Sequence, residues 1–197
     1  MIQKLSSGAA KWLEQEGAIS AKDKELFSYA VYSLLFGLLP VFIITILGLA
    51  FGMLREGLLM IFPFMLIRKF SGGYHLNSPK LCISFSTALL TFSMRFIKII
   101  SCGGHLPLLT VLVALSVICL CAFSPVENSS RKLTKKERQL FSKVSCILAI
   151  VALLGYLVMC ETIPIQYSTA FGVGILLVAM LELPCVAAAA IGTLNYF

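Results

Sequence analysis

Apolar residues fall in long runs broken by short polar segments, and the run lengths match membrane-crossing helices rather than soluble amphipathic ones. Phe27–Phe51 is the first run; as a helix it would rise ~37 Å, enough to cross a hydrocarbon core of ~30 Å with some tilt, and Pro40 is expected to kink it. After Arg55 and Glu56, the apolar stretch 57–67 is too short to cross alone. Carried on to Phe70 it forms a short span broken at Pro63, with a re-entrant hairpin as the other option. Further spans are predicted at Leu81–Ile100, Leu106–Phe123, Val144–Cys160 and Ile165–Ala190. The turns "SCGGHLP" and "ETIPIQ" separate neighbours.

These runs predict an all-α, polytopic integral membrane protein with about six transmembrane helices in a single membrane domain, residues 1–197. Four spans with re-entrant and interfacial helices is the alternative. Six crossings place the N-terminus, 68–80, 124–143 and the C-terminus on one side. Those segments hold most of the Lys and Arg, so that side is expected to be cytoplasmic. Residues 1–25 lack the apolar core of a secretory signal peptide. Ile2, Leu5, Ala9, Trp12 and Leu13 instead share one helical face, as in an interfacial amphipathic helix or one packed on the rest of the protein. Ser20 followed by Asp23 suggests the start of the next helix.

Composition agrees. The chain is 59% hydrophobic and 13% charged, more apolar than a soluble core of this length can bury. Its net charge of +7 lies in the segments between spans, which points to topology rather than to nucleic acid. No CxxC pair suggests a metal site, and most of the seven cysteines lie in or beside apolar runs, where Cys packs as a small hydrophobe. Glu182 stands inside the last span with no partner evident in the sequence.

One connecting segment, "RKFSGGYHLNSPKLC" at 68–82, carries candidate chemistry. Its His75 and Cys82 are too far apart in one continuous helix. Asn77, Ser78 and Pro79 favour a turn, so His75 is expected to precede the helix and fold back on Cys82, with Gly72 and Gly73 permitting unusual backbone angles. An imidazole beside the thiol would take its proton, and the helix start would favour the thiolate. Asn77 or a backbone carbonyl is left to orient the imidazole. From the residues alone a connecting loop explains the stretch as well, and is the commoner case. His105 in "SCGGHLP" reads as structural.

The stretch resembles the signature of the accessory gene regulator B (AgrB) family: Arg68, Gly72 and Gly73 before His75, then Cys82. "FSPVENSSRKLTKKERQLFSKVS" is similar to that family's basic cytoplasmic loop, with Ser124 where alanine is more usual. The resemblance covers nearly the whole chain. It implies a membrane cysteine endopeptidase of the bacterial cell membrane, working on its cytoplasmic side without cofactor or metal. Cys82 would be the nucleophile and His75 its base, supported by Arg68, Gly72, Gly73 and Asn77. The basic loop, with Arg131, Lys132, Lys135 and Lys136, would bind the substrate. The expected partners are an AgrD-like propeptide, the lipid bilayer and a second copy in a homodimer. The expected reaction is cleavage near the propeptide's C-terminal side and cyclisation to a thiolactone or lactone. A cysteine protease that releases a linear product is a near rival. A non-enzymatic peptide transporter or scaffold is the alternative of another class.

Overall fold

The structure, a computed structural model, describes residues 2–72, 78–126 and 134–190. These form seven helices: α1 Ile2–Gln15, α2 Lys24–Phe51, α3 Leu54–Ser71, α4 Pro79–Gly103, α5 Leu106–Phe123, α6 Lys135–Thr162 and α7 Ile165–Ala190. No strand occurs among the described residues. Five helices, α2 and α4 to α7, are long and apolar enough to cross a membrane. Their outward side chains include Phe42, Ile46, Phe92, Ile118, Val151 and Val158, all more than half exposed. Water would not tolerate apolar surface on that scale, whereas lipid does. This is a polytopic α-helical membrane protein.

The chain divides into two units, Met1–Ile43 and Ile44–Phe197. In the first, α1 forms as expected. Leu5 and Trp12, each 60% exposed, leave much of its apolar face open, as an interfacial helix requires. Ser20 does not start α2. Its hydroxyl bonds the Asp23 carboxylate at 2.6 Å in a turn, and the Phe27 amide closes on the Asp23 carbonyl to begin the helix. Pro40 lies inside a continuous α2.

In the second unit α7 is the hub, packed by α3, α4, α5 and α6. Lipid chains are as apolar as leucine, so helices associate in a membrane by close packing rather than by escape from water. α7 supplies glycines for that purpose. A Cβ on Gly172 would come within 2.6 Å of the Tyr156 ring, and one on Gly174 would run into the Met60 carbonyl and the Pro63 ring. Tyr156 also bonds Thr110 at 3.0 Å, tying α6 to α5. The Cys121 and Cys146 thiols meet across the same pair of helices.

Two expectations are corrected. The segment from 57 neither breaks at Pro63 nor turns back: α3 is one helix of 18 residues. Pro63 withholds one backbone bond, but its ring is buried against α7. The basic segment 124–143 is not wholly loop either. Thr134 caps α6 in a reciprocal box, its backbone N–H donating to Glu137 at 2.9 Å while its side chain accepts from the Glu137 amide. Lys135, Lys136, Arg138 and Lys143 are therefore helical.

Candidate functional site

Cys82 sits one turn into α4. Ser78 is the extended N-cap residue and Pro79 occupies the first helical position, where its fixed φ suits the helix and its missing N–H costs nothing. The Cys82 amide makes the first bond of the helix, to the Ser78 carbonyl at 2.9 Å. Lys80 and Leu81 therefore carry the amides that precede that bond, and Ser78 makes no side-chain cap. The thiol is free and half-buried, at the positive end of the helix dipole. A shallow, open groove of about 720 Å³ runs along α4, lined by Ile83, Ser84, Thr87, Thr91, Phe92 and Arg95 among others; Cys82 is not part of its lining. Thr87 and Thr91 bond carbonyls of their own helix there, at 2.8 and 2.7 Å.

His75, Gly73 and Asn77 lie outside the described residues, as do Arg131 and Lys132. The expected approach of His75 to Cys82 therefore falls outside them too.

Arg68 lies in the last turn of α3 with its guanidinium over the Phe64 ring, 5.6 Å from the centroid. Its charge acts on Glu182 and Cys185 of α7. Gly72 follows with φ +77°, a left-handed conformation that favours glycine. It pairs with Val126 as an isolated parallel bridge, and the Val126 amide donates to the Ser71 carbonyl at 2.9 Å. A Cβ on Gly72 would stand 2.5 Å from the Val126 carbonyl oxygen. The segment leading to His75 is therefore joined to the segment leading to the basic residues.

Sequence reasoning finds no partner for Glu182; the structure supplies them. The buried Ser124 hydroxyl donates to Glu182 Oε1 at 2.8 Å, and Arg68 acts on the same carboxylate. The signal in the sequence is a carboxylate at 182 inside an apolar run. Lys135 and Lys136 are exposed in the first turn of α6. His105 is the N-cap residue of α5, with no side-chain cap hydrogen bond. No cluster of three or more His, Cys, Asp or Glu suited to a metal occurs among the described residues.

The profile of the family "Accessory gene regulator B" matches residues 6–183, which takes in both segments joined at Gly72 and Val126. The chain belongs to that family. It is also 27% identical, over 157 residues, to "Putative AgrB-like protein 2" of Clostridium perfringens strain 13, covering 74% of this chain and 71% of the relative. The "Putative AgrB-like protein" of Clostridium perfringens strain SM101 matches to the same extent. No solved structure matches the chain. Membership of the AgrB family ties the protein to peptide processing in accessory-gene-regulator quorum sensing.

Proposed function

We propose that this AgrB-family chain is a membrane cysteine endopeptidase and cyclase acting on the C-terminal part of a quorum-sensing propeptide. The observation that carries the reading is the placement of Cys82: a free, half-buried thiol at the positive end of α4. The family match across residues 6–183 supports it.

In this mechanism His75 takes the Cys82 proton, and the thiolate attacks a peptide carbonyl of the propeptide. The C–N bond breaks, the C-terminal fragment leaves as an amine with the proton from His75, and a thioester remains on Cys82. A Cys or Ser side chain of the bound peptide then attacks the thioester carbonyl. A thiolactone or lactone leaves and the Cys82 thiol is regained. Cyclisation must outrun hydrolysis, so the peptide's nucleophile has to be held at high effective concentration and water kept from the thioester. An amphipathic propeptide on the inner leaflet would meet the site from the cytoplasmic side. The basic segment 131–138 would hold acidic residues of its tail, and a second copy of the chain would complete a homodimer.

The test is the purified protein in liposomes with the propeptide encoded beside its gene, followed by intact mass. An adduct on Cys82 and a product one water lighter than the linear fragment are expected. Linear fragment alone would leave a protease without cyclisation. Bound, intact propeptide with no adduct would overturn the reading in favour of a transporter or scaffold.

A further inference from the structure

Glu182 is a carboxylate within an apolar helix, and it is 3% exposed. Burying such a group is costly unless polar partners meet it. Its hydrogen-bond partner leads to the segment before Cys82. Ser124, which donates to it at 2.8 Å, opens the short stretch whose Val126 amide bonds Ser71 and which pairs with Gly72. Arg68, one turn before Gly72, also acts on the carboxylate electrostatically. One side chain of α7 is therefore linked to the backbone that enters the His75 segment.

We propose that Glu182 is a positioning residue of the Cys82 site, holding the 124–126 stretch through Ser124. This rests on the cysteine-peptidase reading and adds to it a residue that the acyl transfer itself does not use. Glu182 touches neither substrate nor thiol. Its effect is on where the ends of α3 and α5 stand, and a base and nucleophile that must meet within hydrogen-bond distance are sensitive to that. A displacement of ~1 Å can slow such a step ~100-fold.

The experiment compares wild type, E182A and E182Q as full-length protein in liposomes. It reads kcat and KM for propeptide cleavage, and hydrogen exchange of the Val126 amide without propeptide. For E182A, kcat is expected to fall about tenfold or more with KM within about twofold, and Val126 exchange to speed up. E182Q keeps an oxygen for Ser124. It should recover the Val126 protection and, with it, kcat. Wild-type kcat in E182A overturns the proposal, as does a loss confined to KM. If E182A does not fold, S124A, which removes one hydroxyl, carries the same exchange and kcat test. If wild type forms neither adduct nor cleaved peptide, the peptidase reading has failed. Val126 exchange and the rate of Cys82 alkylation by iodoacetamide then decide the positioning alone, and values unchanged in E182A overturn it.

Discussion

Gly72 and Val126 stand side by side, the only residues of two distant segments joined by a backbone bridge among those described. One segment runs on to His75 and Cys82, the other to the basic residues at the start of α6. The bridge brings together the two stretches by which the chain resembles its family.

Gly72→Ala tests that junction. The new Cβ would face both a left-handed φ of +77° and the Val126 carbonyl at 2.5 Å. A loss of about 1–3 kcal/mol is expected from such strain, together with slower processing. Thermal unfolding in detergent measures the first, and an unshifted midpoint would show that the junction yields freely.

Cys82→Ala and His75→Ala should each lower ring formation at least about a thousandfold if the two act as nucleophile and base. Elution and melting should stay near wild type. Cyclic peptide made at the normal rate by either variant would remove that residue from the mechanism.

Thr134→Ala removes the side-chain half of the α6 cap, which bonds Glu137. A cost of about 1 kcal/mol is typical of such caps. Hydrogen exchange over 135–138 should quicken, with no change at 145–160. Equal protection in both proteins would mean that the cap does not set the start of α6.

Replacing Arg131, Lys132, Lys135 and Lys136 together by Gln should weaken propeptide binding to liposomes carrying the protein. The weakening should be greatest at low salt, where screening is least. Affinity that is unchanged at every ionic strength would leave these residues with the topology alone.

Gly174→Ala and Gly155→Ala form a matched pair. The first places a methyl against the Met60 carbonyl and the Pro63 ring, while the second meets nothing within 4 Å. Overpacking at 174 is expected to cost about 1–3 kcal/mol. At 155 a gain of about 0.5–1 kcal/mol from helix propensity is expected. Equal melting of the two variants would contradict the close approach of α3 and α7.

Where an element is bounded by local chemistry, the sequence is a sufficient guide. The apolar run Leu106–Phe123 ends where α5 ends, before Ser124 and Pro125, and the run from Ile165 begins where α7 begins, after Pro164. The run Val144–Cys160 is shorter than α6, because charge does not imply loop. Lys, Arg, Glu and Gln are good helix formers, and the Thr134–Glu137 box lets the helix begin among them. Cys82 at a helix start is legible from Ser78 and Pro79 for the same local reason.

Run length belongs to the chain alone, and it suffices to give a membrane protein of long apolar helices; Cys82 and His75 are picked out by resemblance to the family signature rather than by their spacing. Packing settles the rest. α3 stays unbroken through Pro63, since its contact with α7 opposes a break that the proline invites. Ser124 answers Glu182, and Val126 meets Ser71 and Gly72. These contacts join residues far apart in the chain, and neither helical periodicity nor residue spacing encodes which buried polar groups will find each other once helices pack.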